Sequence, residues 1–182
     1  KITDISLTVL GVLAGILAMI FCSKTVDNSK LFNSNNSSLL KSGIIIAIGI
    51  ALHNLPEGLA IGAGFESSSS LGFSLALAIA IHDIPEGISV ALPLKSSGFS
   101  TFKSIFITAL SGLTTAIGAI IGALISKIST IFIGLSLSFA AGAMLYIISC
   151  ELIPESKSLY KGRFASFGNI IGIILGLISN AL

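Results

Sequence analysis

Residues 42–64 read SGIIIAIGIALHNLPEGLAIGAG, and residues 71–94 read LGFSLALAIAIHDIPEGISVALPL. Each run is long enough, at a helical rise of about 1.5 Å per residue, to cross the roughly 30 Å hydrocarbon core of a bilayer. Each is broken near its middle by one six-residue pattern. The first copy is His53-Asn54-Leu55-Pro56-Glu57-Gly58 and the second is His82-Asp83-Ile84-Pro85-Glu86-Gly87. Two polar hexads embedded in otherwise apolar runs decide both the fold class and the region where chemistry is sought.

Working outward, four further apolar runs occupy 6–21, 102–125, 131–150 and 164–182. Six runs of this kind predict an all-α, polytopic transmembrane helix bundle, with 1–182 as a single transmembrane domain. The composition agrees: 53% of residues are hydrophobic and 10% charged, against about 25% charged in a soluble domain. Mean hydropathy is +1.03. No basic patch with interleaved aromatics occurs and there is no Trp, so nucleic acid is not an expected partner; the lipid bilayer is. Cys22 and Cys150 match no metal-finger or redox spacing and read as small apolar residues near helix ends.

Lys and Arg lie between or beside the apolar runs. The connections at 23–41, 95–103 and 157–163 hold Lys24, Lys30, Lys41, Lys95, Lys103, Lys157, Lys161 and Arg163, whereas the opposite side holds Lys1 and Lys127. The positive-inside bias predicts that the three basic connections are cytoplasmic, with both termini outside, in a cell (plasma or inner) membrane. The 23–41 stretch, with its polar run at 33–38, is expected to be a cytoplasmic polar loop. Glycines recur four apart at 11/15, 118/122 and 168/172/176. Such stripes let helix backbones approach closely; packing within the chain is the first reading, and a homodimer is the other.

Four acidic residues (Glu57, Asp83, Glu86 and Glu151) fall inside the apolar runs or at an edge. A central carboxylate costs about 2.5–3.5 kcal/mol on insertion scales, so Glu57, Asp83 and Glu86 together cost roughly 8–10 kcal/mol. Three neighbouring negative charges also repel one another. Within each hexad the His and Glu are four apart and share a helix face, while Asn54 and Asp83 are turned about 100° from the adjacent His. Consecutive spans run antiparallel, so the two hexads meet at similar depth. Two imidazoles, three carboxylates and one amide then face a common volume, a ligand set suited to Zn²⁺ and other first-row divalent ions. Pro56 and Pro85 each remove a helix N–H, freeing the carbonyls of Leu52 and Ile81, and are expected to kink their helices beside a hydrated path.

These hexads resemble the signature of the ZIP (Zrt/Irt-like) metal transporters, of bacterial type. The likeness extends to Ala141-Gly142-Ala143-Met144-Leu145-Tyr146 and to Glu151-Leu152-Ile153-Pro154-Glu155, and covers essentially the whole chain. It implies an eight-helix family in which the six spans here are helices three to eight, and it fits a start at Lys1 rather than Met. It further implies one metal site of His53, Glu57, His82 and Glu86, and a neighbouring site of Asn54 and Asp83 with Glu57 and Glu86 bridging. Bacterial relatives often carry a Glu after a Ser-Gly-Leu stretch; here Ser111-Gly112-Leu113 is followed by Thr114-Thr115, so Thr115 replaces that carboxylate.

The expected function is a membrane transporter, not an enzyme, moving divalent ions into the cytoplasm. Zn²⁺ stands first among the ions, with Fe²⁺, Mn²⁺, Cd²⁺ and Co²⁺ as others the ligands suit, and no catalytic cofactor is expected. Glu151 is a candidate cytoplasmic exit station. The rival readings are an intramembrane metal-dependent hydrolase and a non-transporting metal sensor. Against the hydrolase, no His-Glu-x-x-His pattern occurs, which such proteases use to bind zinc and place their base.

Overall fold

A computed structural model describes residues 2–28, 37–125 and 129–181, with no strand among them. The helices are α1 (Ile2–Asp27), α2 (Ser37–Ser67), α3 (Ser69–Ser96), α4 (Thr101–Leu124), α5 (Thr130–Tyr146), α6 (Ile153–Leu159) and α7 (Phe164–Ala181). A π-helical stretch, Ile147–Leu152, joins α5 to α6 without a break in the helical path. Five spans of the described residues are long and apolar enough to cross a membrane: Ile5–Asp27, Ser38–Ser67, Ser69–Ser96, Thr101–Leu124 and Ile131–Leu159. With α7 as the sixth helix, the all-α bundle expected from the sequence is the fold.

The helices outrun the apolar segments that announce them. α1 continues through Ser23, Lys24 and Thr25, whose Oγ1 bonds back to the Phe21 carbonyl at 2.8 Å. α2 already begins at Ser37. The 23–41 stretch is therefore helical at both ends rather than a loop throughout, and residues 29–36 lie outside the described residues. Hydropathy marks where a helix meets lipid; it does not mark where the backbone hydrogen-bond ladder stops.

Connections are short where serines cap the helices. Ser68 alone separates α2 from α3 and accepts from the Leu71 N–H at 3.2 Å. Ser100 caps α4 by accepting from the Lys103 N–H at 3.3 Å. Both satisfy N–H groups that the first helical turn leaves unpaired. Gly98, between α3 and α4, has φ +100°, a conformation that costs other residues their Cβ clearance.

α2 is the central helix, with 56% of its apolar window buried, against 28% or less in the other four spans. It packs against α3, α4 and α5, while α1 packs on α5. Glycine makes two of these contacts close. A Cβ at Gly58 or Gly62 would strike the Thr115 or Ala119 carbonyl of α4, and one at Gly118 would strike the Leu55 carbonyl of α2. Likewise Gly15 and Gly142 press α1 and α5 together against the Phe139 and Val12 carbonyls. The stripes at 11/15 and 118/122 thus serve packing within the chain. The α7 stripe differs: Gly168 and Gly172 have nothing within 4 Å of an added Cβ.

Met19, Ile46, Val90, Leu94 and Ile147 form the buried centre. The outer faces keep large apolar side chains exposed, such as Leu17, Phe21, Ile84, Leu92 and Phe102. That inversion of the soluble pattern fits a lipid-facing surface.

Candidate metal centre

Both hexads are helical, and α2 and α3 run through Pro56 and Pro85 without interruption. The i,i+4 spacing stacks each Glu over its His on one helix face, and the α2–α3 packing turns the two faces towards each other. His53 Nε2 lies 3.2 Å from Glu57 Oε1 on its own helix and 3.5 Å from Glu86 Oε1 across the interface. His82 Nε2 lies 3.0 Å from Glu86 Oε1 and 3.7 Å from Glu57 Oε1. The imidazole centroids are 5.8 Å apart, with the planes tilted by 47°. Ligand atoms of His53, His82 and Glu86 all fall within 4.8 Å of one another.

The set converges without satisfying itself. Glu57 Oε2 and Glu86 Oε2 are buried and make no hydrogen bond, while His53 Nε2 and Glu86 Oε1 meet members of the set itself. His53 and Glu86 are 8% and 7% exposed, so water does not compensate them freely. An unpaired buried donor or acceptor costs about 1–3 kcal/mol, and more when charged. One ligand atom each of His53, His82 and Glu86 within 4.8 Å of the others makes a donor set that could hold a cation.

Asn54 and Asp83 each follow a hexad His, about 100° further round the helix. Asn54 is 2% exposed, and its amide Nδ2 donates to the Ser111 carbonyl of α4 at 3.4 Å. That contact fixes which end of the amide is free, leaving Oδ1 without a partner. Asp83 Oδ1 and Thr115 Oγ1 are likewise buried and unpartnered. Glu57 and Glu86 both act on Asp83 as like charges.

The two copies of the hexad are not equivalent. His53 sits on the central helix and is buried; the His82 side chain is 46% exposed. It faces a groove of about 690 Å³ between α3, the π-helical stretch and α7, whose walls include Pro85, Ser89, Met144 and Asn169.

Glu151 does not reach the hexads. It lies on the π-helical stretch, half-buried, and its Oε2 accepts from Ser42 Oγ at 3.0 Å. Ser42 adjoins Lys41, whose Nζ is 2.8 Å from Asp27 Oδ1. Asp27, Lys41 and Ser42 carry no motif; their one sequence signal is polarity at the ends of two apolar runs. The π-helical turn has a clearer origin. Pro154 has no N–H to continue the ladder, and the Ile153 N–H reaches back five residues to the Ile148 carbonyl.

The profile of the ZIP Zinc transporter family matches residues 23–182. Zinc transporter GufA of Myxococcus xanthus is 41% identical over 138 residues, covering 75% of this chain and 54% of that protein. Zinc transporter ZIP11 of Homo sapiens is 38% identical, covering 72% and 40%. Zinc transporter ZupT of Clostridium perfringens is 37% identical, covering 79% and 51%. The chain spans about half the length of the curated relatives it matches. On the family profile and on relatives of this identity, the chain belongs to the ZIP zinc transporter family.

Proposed function

We propose that this chain carries the ion-binding centre of a membrane transporter that moves divalent cations, Zn²⁺ first among them, into the cytoplasm. The observation that carries the reading is the convergence of His53, Glu57, His82 and Glu86, with each imidazole Nε2 within 3.7 Å of both Glu57 Oε1 and Glu86 Oε1. Imidazole nitrogen and carboxylate oxygen are the donors zinc takes in non-thiolate sites. Relatives named as zinc transporters support the same cargo. Fe²⁺, Mn²⁺, Cd²⁺ and Co²⁺ suit the same ligands and are tested as competitors.

In this reading His53, Glu57, His82 and Glu86 hold the first ion. Asn54 Oδ1 and Asp83 Oδ1 supply a neighbouring position that Glu57 and Glu86 bridge. Binding requires the imidazoles and carboxylates to be deprotonated, so an ion arrives as protons leave. The basic connections face the cytoplasm, both termini lie outside, and Glu151 receives the ion on its way inward. The membrane is the plasma or inner membrane, and the whole chain acts as one transmembrane domain. The test is ⁶⁵Zn²⁺ uptake into cells expressing the protein. Uptake above background that Glu57→Gln abolishes is expected; uptake unchanged by that substitution would refute the central site.

Charge sets the stoichiometry. Glu57, Asp83 and Glu86 are three negative charges when ionised; one divalent ion leaves one negative charge and two leave one positive. Thr115 supplies a neutral hydroxyl whose buried Oγ1 has no partner. The second position is therefore weaker than the first. Thr115→Glu restores neutrality for two ions and is expected to add zinc to the count per chain, measured by mass spectrometry of the purified protein. An unchanged count would show that charge does not limit the second position.

A further inference from the structure

Two cavities lie end to end along α3. One is the groove of about 690 Å³ lined by His82 and Glu86; the other, of about 350 Å³, reaches Ser96 at the end of α3 and Glu155 on α6. Among the described residues the two linings share Ser89, Leu152 and Ser156. These three residues therefore stand at the neck where one cavity opens into the other.

The α3 wall is a single helix face. His82, Glu86, Ser89, Pro93 and Ser96 follow one another at steps of four, three, four and three, which keeps them within about 80° of one another around the helix. The face runs about 21 Å from the second hexad to the end of α3. Ile81, Ile84 and Ile88, turned about 100° or more away, carry the exposed apolar side chains.

At the neck this face offers oxygen. Ser89 Oγ donates to the Glu86 carbonyl at 2.7 Å, so its proton is engaged while its own lone pairs stay free. Pro93, inside the helix, has no N–H to bond the Ser89 carbonyl, so the ladder leaves that oxygen free as well. The other wall is apolar. Leu152, the last residue of the π-helical stretch, is half-buried and packs on the core.

We propose that the ion moves inward from the hexads along this face of α3, and that Leu152 gates the neck between the two cavities. The inference rests on the transport reading above. An apolar side chain at a restriction excludes water, and with it a hydrated cation. Ser89 supplies oxygen on the facing wall in place of part of the hydration shell. Beyond the neck, Glu155 lines both the second cavity and the one that holds Glu151, so the route continues to that residue. The hexads set capture, and Leu152 sets the rate of passage.

The experiment uses the full protein carrying this sequence, with Zn²⁺ as the probe. Zinc flux in proteoliposomes, read by a zinc dye trapped in the lumen, and zinc affinity in detergent, read by calorimetry, are measured on each variant. Leu152→Ala is expected to raise flux about tenfold, about 1.4 kcal/mol off the barrier, and Leu152→Trp to lower it about tenfold. Both should keep the wild-type affinity, because neither touches the hexads. Leu145→Trp is the control for bulk alone, since Leu145 lies on α5 and is 52% exposed; its flux should match wild type. Wild-type flux in both Leu152 variants overturns the proposal. So does slowing by both, or affinity that falls in step with flux, since either would make Leu152 a packing residue. Wild-type protein that neither binds nor moves zinc would instead remove the transport reading, and this inference with it.

Discussion

Glu86→Gln is expected to lower the affinity for the first zinc ion by about a thousandfold, roughly 4 kcal/mol, a loss typical of stripping the partner from a buried charge. Glu86 Oε1 lies within reach of both imidazoles, at 3.0 Å from His82 Nε2 and 3.5 Å from His53 Nε2. The residue is 7% exposed, and its second oxygen, Oε2, has no hydrogen-bond partner. The substitution removes a ligand and a unit charge while keeping the volume. It also introduces N–H donors that turn towards the imidazole nitrogens and occupy the lone pairs zinc needs.

The zinc-free protein should respond in the opposite direction. Without a cation, Glu57, Asp83 and Glu86 repel one another, and neutralising one relieves that repulsion. Glu86→Gln is therefore expected to raise the thermal midpoint in chelator and to abolish the zinc-induced rise. Calorimetric zinc titration and thermal scans with and without chelator check both signs. An affinity loss under tenfold would mean that Glu86 is not a ligand.

The sequence made the hexads and the spans legible because both depend on local spacing. The i,i+4 pairing of His53 with Glu57, and of His82 with Glu86, follows from helical geometry once the runs are read as helices. What spacing alone cannot carry is the asymmetry between them. His53 is buried and His82 half-exposed because α2 has neighbours on several sides and α3 borders a groove, which is a fact of packing order. The partners of Glu151 escaped for a related reason. Ser42 lies 109 residues away in sequence, and nothing in the Glu151-Leu152-Ile153-Pro154-Glu155 stretch announces it. Pro154 stands in that stretch, but nothing there announces a π-helical turn carrying Glu151. The glycine pattern was readable as close packing, while which helices it joins was not. Gly118 and Gly122 meet α2, whereas the equally regular Gly168 and Gly172 meet nothing among the described residues.

Gly58→Val is expected to have the largest effect on the fold itself. A Cβ at Gly58 would meet three backbone atoms of α4: the Thr115 carbonyl oxygen, the Ala119 nitrogen at 2.8 Å and the Gly118 Cα at 2.9 Å. Backbone cannot rotate away as a side-chain tip can, so α4 must withdraw as a body. Overpacking typically costs about 1–3 kcal/mol. Here a branched side chain forces apart helices whose association depends on close backbone approach, so about 3 kcal/mol or more is expected. The withdrawal would also carry off the Ser111 carbonyl that orients Asn54, so the damage reaches the ion site even where the protein still folds. Gly112 is the control, lying on α4 with nothing within 4 Å of an added Cβ. Gly112→Ala should be neutral or stabilise by up to about 1 kcal/mol, since alanine loses less backbone freedom in a helix. Thermal midpoints in detergent and zinc bound per chain separate the two variants. Equal midpoints for Gly58→Val and Gly112→Ala would mean that α2 and α4 are not held by this glycine contact. Gly58→Ala should fall between them, because one methyl requires a smaller retreat than three carbons.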